Sequence, residues 1–152
     1  MRALRRSDLA DVARIDAFHT GERKEAHWKR VCRELLDTRA KRRIGLAYEA
    51  PDRRLLGYLL GEVRAFEFGS EPCGWVLAIG IDPKALHLGV GSALLAEACA
   101  QFRRAGAPRV RTMVRRNDVP LLAFFRSNGF TGGPYVQLEL NVNSDRSSEE
   151  VR

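Results

Sequence analysis

The sequence contains no apolar run that approaches the roughly 20 residues needed for a membrane-spanning helix. Its first residues, 1–8, have no apolar segment like that of a secretory signal peptide, so we expect a chain without a leader. The cysteines Cys32, Cys73 and Cys99 lie far apart and match neither a zinc knuckle nor a Cys-x-x-Cys redox pair. These absences predict a cytoplasmic protein with reduced thiols, no membrane association and no metal.

What is present is an ordinary globular composition. The 152 residues are 45% hydrophobic and 30% charged, which is enough to bury one core. We expect a single domain over residues 1–142 and a loose polar tail over 143–152. The net charge of +7 is compatible with an anionic partner, but we favour a solvated Arg-rich surface, because no basic cluster is interleaved with aromatic residues. A basic nucleic-acid-binding domain is therefore only a third interpretation.

Apolar periodicity predicts alternating strands and helices. We expect strands at residues 2–5, 44–50, 55–68, 75–81, 109–114 and 135–142. We expect helices at about 8–18, 23–39 and 89–105, and a last one that begins at Asn117 or Asp118. Residues 44–82 are predicted to form an antiparallel meander, so the fold class is α/β. Trp28 is expected to pack in the core and His27 to lie at the surface.

One glycine-containing loop is the strongest functional signal. The strand that ends at Ile81 is followed by Gly89-Val90-Gly91, which opens an apolar-periodic helix. Free amides at a helix start bind anions, and glycine lets a diphosphate approach the backbone. The P-loop pattern GxxxxGK[ST] is absent, and a dinucleotide fingerprint would need a small residue where Leu94 stands.

Two segments resemble the GNAT family of acyl-CoA-dependent N-acyltransferases. One runs from Ile79-Gly80-Ile81-Asp82-Pro83 to Gly89-Val90-Gly91-Ser92-Ala93-Leu94-Leu95, and the other is Asn117-Asp118-Val119-Pro120-Leu121-Leu122-Ala123-Phe124-Phe125-Arg126-Ser127-Asn128-Gly129-Phe130. Together with the order of elements, the resemblance covers residues 2–142. It implies a mostly antiparallel mixed sheet, splayed between its fourth and fifth strands and flanked by helices, with acetyl-CoA in the gap.

The resemblance also implies a layout of cofactor contacts. Main-chain groups of Ile79, Gly80 and Ile81 would pair with pantetheine like an added strand, and one amide would polarise the thioester carbonyl. Asn117, or its neighbour Asp118, would contact the far end of the pantetheine. The pyrophosphate would be held by amides of the loop residues His87, Leu88, Gly89, Val90, Gly91 and Ser92.

The sequence departs from the family pattern at catalytic positions. Leu86 replaces the usual Gln or Arg before the first glycine. Phe125, a packing residue, stands where many members have a Tyr that protonates the departing thiolate. A thiol of pKa about 8.5 leaves without a dedicated acid. Glu62, Glu67 and Glu71 are the carboxylates available as a general base, and we choose Glu67, acting directly or through water, over His87. Cys73 is a less favoured candidate for an acyl-carrying nucleophile.

The resulting hypothesis is an enzyme that moves an acetyl group from acetyl-CoA to a primary amine by direct attack in a ternary complex. The partners are acetyl-CoA and an amine acceptor whose identity the sequence leaves open. A homodimer is a family expectation. The alternative is a catalytically silent acyl-CoA-binding or regulatory module.

Overall fold

A computed structural model describes residues 1–35, 42–65, 69 and 71–142. The chain divides into two compact units, Met1–Arg115 and Arg116–Arg152. The helices and strands of the first unit are β1 (Arg2–Ala3), α1 (Leu9–Thr20), α2 (Glu25–Leu35), β2 (Arg43–Glu49), β3 (Leu55–Arg64), β4 (Cys73–Ile81), α3 (Val90–Arg104) and β5 (Arg109–Arg111).

The strands form one five-stranded sheet in the order β1-β2-β3-β4-β5. The pairs from β1 to β4 are antiparallel, and β5 alone runs parallel to its neighbour β4. The predicted meander and mixed sheet are confirmed. The fifth strand is shorter than expected, because its pairing with β4 ends at Arg111.

The helices cover the two faces of the sheet. On one face, the indole of Trp28 in α2 packs edge-to-face on Tyr58 with ring centroids 5.5 Å apart, and its Nε1 donates to Asp16 at 2.9 Å. On the other face, Phe102 of α3 lies so close to Gly61 and Gly74 that a Cβ at either glycine would clash with its ring. The expected core position of Trp28 and surface position of His27 are confirmed.

Two buried carboxylates connect α1 to the sheet. Asp8, just before the helix, receives two hydrogen bonds of 2.8 Å from the Arg2 guanidinium, whose Nε donates to Glu49 of β2. Asp82, just after β4, accepts from Arg14 of α1 at 2.9 Å. The start of α1 is thereby tied to β1 and β2, and its middle to the end of β4.

The second unit contains α4 (Val119–Ser127). Asp118, rather than Asn117, is its cap, because its Oδ1 accepts from the Leu121 amide at 3.1 Å. The strand expected at residues 135–142 is wrong, since these residues form no strand in the described part of the unit. Alternating Val136, Leu138 and Leu140 remain exposed. Alternation predicts which side chains share a face, but a strand also needs a partner for its main chain.

Candidate active site

The fourth strand has an edge that β5 leaves open. Parallel pairing ends at Trp75 opposite Arg111, and the next contact is the Thr112 hydroxyl, which donates to the Val76 carbonyl at 3.1 Å. From Leu77 onward, no strand within the described residues pairs with this edge. The expected splay between the fourth and fifth strands is therefore confirmed.

The peptide N–H and C=O groups of successive residues in β4 point to alternate edges of the strand, which identifies the residues that face the open edge. The Asp82 amide donates to Leu56 of β3 at 2.8 Å, so Asp82 faces β3. Because successive residues face opposite sides, Ile81 and Ile79 face the open edge and Gly80 faces β3. The Ile81 carbonyl already contacts His19 Nε2 at 2.7 Å. The peptide groups of Ile79 are thus the best-placed pair for an incoming strand-like ligand.

Gly80 has a structural reason to be glycine. A Cβ at this position would lie 2.5 Å from the Tyr58 ring, which covers it on the face carrying α1 and α2. Burial raises the pKa of Tyr58, so this phenol stays neutral. Gly80 therefore makes room for a core side chain, in addition to any approach of a cofactor.

The loop after β4 ends in a helix start whose first amides lack helical partners. Asp82 orders the beginning of the loop by accepting from the Lys84 amide at 2.9 Å. His87 and Gly89 then take left-handed conformations with φ of 64° and 78°, and α3 begins at Val90. The first helical bond here is donated by Ala93 to Gly89, so the amides of the preceding turn have no partner within the helix. This arrangement is a ready anion-binding site.

The charge of Asp82 is maintained although the residue is buried. Burial alone would raise its pKa, but the hydrogen bonds from the Lys84 amide and the Arg14 guanidinium outweigh burial and hold the pKa below its ordinary value. Asp82 therefore stays ionised at neutral pH and keeps α1 fixed to the start of the loop.

A cavity of about 330 Å³ lies between α2 and the sheet. Its floor includes Leu60 and two residues of β4, Leu77 and Ala78. The register between β3 and β4 shifts here, since Leu60 pairs with Ala78 but Gly61 pairs with Val76. Leu77 is the extra residue of this bulge and is 42% exposed. The bulge thus brings the cavity next to the open edge of β4.

Of the three carboxylates considered from the sequence, Glu62 lines this cavity. Glu34 of α2 lines it as well. One Glu62 oxygen accepts from Arg64 Nε at 2.6 Å. Glu67, our choice from the sequence, lies outside the described residues, and Glu71 is exposed. His27 and Trp28 also line the cavity. His27, Trp28, Val31 and Glu34 are spaced so that they share one face of α2. This shared face is the only feature of the sequence that indicates the cavity.

Two other candidate residues have packing roles. Cys73 is 2% exposed and its thiol donates to the Arg109 carbonyl at 3.4 Å, which disfavours a nucleophilic role. In the second unit, the Phe125 ring packs against those of Phe124 and Phe130 at 5.2 and 5.1 Å, so its expected packing role is confirmed. Asn117 lies in an exposed turn before α4.

The chain belongs to the acetyltransferase (GNAT) family, whose model matches residues 9–130. It is 33% identical over 87 residues to a mycothiol acetyltransferase of Thermomonospora curvata, a match that covers 57% of this chain and 28% of that protein. A mycothiol acetyltransferase of Saccharomonospora viridis is 35% identical over 63 residues, covering 41% of this chain and 21% of the relative. The chain thus matches less than a third of the length of these curated relatives.

Solved structures show the same fold. An aminoglycoside 6′-N-acetyltransferase from Acinetobacter haemolyticus matches with a TM-score of 0.78 at 20% identity, covering 92% of this chain and 96% of that one. An aminoglycoside N-acetyltransferase in complex with CoA matches with a TM-score of 0.80 at 14% identity, covering 93% of both chains. Within the described residues, no helix is long and apolar enough to cross a membrane.

Proposed function

We propose that the protein transfers an acetyl group from acetyl-CoA to a primary amine. The observation that carries this proposal is the continuity of two features: the open edge of β4 at Ile79 leads directly into the start of α3, whose first amides have no partner within the helix. A ligand that presents peptide-like groups to the first and a pyrophosphate to the second has the chemistry of CoA. Family membership and relatives named acetyltransferases support the same donor.

The proposed cofactor contacts follow this continuity. Ile79, with Gly80 and Ile81, would hold the pantetheine arm, and the amide of Ile79 would polarise the acetyl carbonyl. His87, Leu88, Gly89, Val90, Gly91 and Ser92 would surround the pyrophosphate. Asn117 remains a proposed contact for the far end of the pantetheine.

The reaction is a direct displacement at the thioester. The neutral amine attacks the acetyl carbon, a C–N bond forms, and the C–S bond breaks to release CoA thiolate. The amine proton passes to a carboxylate, and the thiolate takes a proton from water. We propose Glu62 as the carboxylate because it lines the cavity beside the β4 bulge, with Glu67 as the competing candidate.

The first test removes one amide from the proposed pyrophosphate site. Ser92 is exposed and is the third residue of α3. A proline here would follow a glycine, and the residue four positions earlier lies before the helix, so the proline ring would meet no helical carbonyl. Ser92→Pro therefore deletes an amide with little strain, whereas Ser92→Ala deletes only the hydroxyl. We expect the proline variant to weaken acetyl-CoA binding about tenfold by calorimetry, and the alanine variant to bind like the parent.

The outcomes separate the possible functions. Absence of saturable acetyl-CoA binding by the parent protein would exclude the proposal. Binding without acetylation of any amine would favour a silent acyl-CoA-binding module. Homodimer formation and a cytoplasmic location remain proposals, and the molar mass in solution tests the first.

A further inference from the structure

The cavity beside the β4 bulge contains a guanidinium that lacks a counter-charge. Arg43, the first residue of β2, is half-buried and lines this cavity. Among the residues that the structure describes, its side chain has neither a hydrogen bond nor an ion pair. An anion bound in the cavity would therefore meet a guanidinium that no described carboxylate pairs with.

Arg43 has no ion pair with Glu62 because a neighbouring arginine already binds that carboxylate. Arg43 stands directly opposite Glu62 in the register of β2 and β3, where side chains are about 5 Å apart. Arg64, however, lies two residues beyond Glu62 on the same strand and already binds its carboxylate at 2.6 Å. Glu62 is thereby held by Arg64, and Arg43 is left available at the cavity wall.

The remaining charge at the cavity has the opposite sign. Glu34 is exposed on α2, one turn beyond Val31, and lines the same cavity as Glu62 with a second carboxylate. A guanidinium and two carboxylates on one cavity match a ligand that carries an ammonium group and an oxyanion at the same time. The apolar floor formed by Leu60 and Leu77 adds space for a hydrocarbon side chain.

We propose that the acceptor is an amphoteric amine, with an oxyanion such as a carboxylate or phosphonate a few bonds from the amine, and that Arg43 is the residue that selects it. This inference rests on the proposed acetyl transfer. The oxyanion binds the Arg43 guanidinium, and the amine then lies between the Glu62 carboxylate and the acetyl group at the open edge of β4. A guanidinium suits this role because its paired N–H groups match an oxyanion in a bidentate manner.

The test compares acceptors that share the side chain and differ at the oxyanion: L-leucine, its phosphonate analogue, L-leucinamide and 3-methylbutylamine. Because the oxyanion also changes the amine pKa, every kcat/KM is expressed per concentration of neutral amine. With saturating acetyl-CoA and thiol release as the readout, we expect kcat/KM for an oxyanion-bearing acceptor to exceed that for leucinamide by about tenfold or more. The leucine and phosphonate arms show which oxyanion fits. Arg43→Gln should abolish the preference through KM, with acetyl-CoA binding unchanged.

Arg42→Gln is the matched control. Arg42 is the exposed neighbour of Arg43, does not line the cavity and uses only its carbonyl to accept from the Val63 amide at 2.7 Å. Its substitution should leave the preference intact. Equal kcat/KM for leucine and leucinamide in the parent protein, or an unchanged ratio in Arg43→Gln, would overturn the inference while leaving acetyl transfer in place.

A binding measurement decides the question even without turnover. Trp28 lines the cavity, and Trp75→Phe leaves Trp28 as the only tryptophan of the chain. In this variant, loaded with CoA, leucine or its phosphonate should change the fluorescence saturably and leucinamide should not. Equal responses to leucine and leucinamide, or no response to any of these ligands, would refute the role of Arg43. Failure of acetyl-CoA itself to bind would refute the proposed function instead.

Discussion

At the scale of single residues, Glu62 shows how packing selects among equivalent side chains. Glu62, Glu67 and Glu71 follow one another within ten positions, and their residue type alone does not distinguish a base from a surface charge. The cavity brings in Glu62, because this side chain of β3 and Leu77, the bulged residue of β4, line the same cavity. Period-two alternation predicts the face of a side chain, but no pattern in the sequence marks the bulge.

The proposed proton acceptor leads to a kinetic prediction. Glu62→Gln should lower kcat/KM by about a hundredfold or more and remove the acidic limb of the pH–rate profile, because a neutral amide accepts no proton. Glu67→Gln is the parallel variant and should retain that limb. If the two results are exchanged, Glu67 is the base.

At the scale of elements, the sheet accepts α3 through glycines. Phe102 sits over Gly61 and Gly74, and a Cβ at Gly74 would lie 2.4 Å from its ring. The sequence predicts both strands and the helix. The glycines within the strands are explained only by the structure, which places the Phe102 ring directly over them. The element predicted wrongly, residues 135–142, has the converse problem: its alternation is clear, while a strand partner is a property of the fold.

The glycine contact predicts a coupled pair of substitutions. Gly74→Ala should lower the free energy of unfolding by about 1–3 kcal/mol, because the helix must shift to admit the methyl group. Phe102→Leu removes the ring, and adding Gly74→Ala to this background should cost less. Urea unfolding of the parent, both single variants and the double variant measures the coupling. Additive costs would show that Gly74 does not act through Phe102.

At the scale of the whole molecule, the first unit depends on ionised carboxylates. Burial would raise the pKa of Asp8, but hydrogen bonds from Arg2 and the Arg5 amide lower it overall, and Asp82 behaves likewise beside Lys84 and Arg14. A lowered folded-state pKa means that the contribution to stability is present above the ordinary value of 3.8 and is lost as the pH falls through the folded-state value. Acid therefore releases α1 from β1 and β2 and from the end of β4.

This linkage predicts a pH dependence of stability. The urea midpoint should change little from pH 7 until the pH approaches 3.8 and should fall below that value. Asp8→Asn should lower the free energy of unfolding by about 2 kcal/mol at pH 7, because Arg2 loses a charged partner, and should flatten the pH dependence. Asp11→Asn is the control, since Asp11 pairs with Arg14 in solvent with its side chain 44% exposed. Equal effects of the two variants would contradict the buried-pair assignment.

The sequence by itself determined the family, the order of the elements as far as α4 and the loop proposed to bind the donor. These features depend on local causes: apolar periodicity, a cap at Asp82 or Asp118, and glycine at a helix start. Only the tertiary structure decided the residues of the proposed acceptor cavity. The bulge at Leu77 and the position of Arg43 opposite Glu62 both arise from the register between strands, which the sequence does not show. Helix starts, caps and apolar periodicity depend on residues that are neighbours in sequence. A cavity depends on contacts between segments that are distant in sequence.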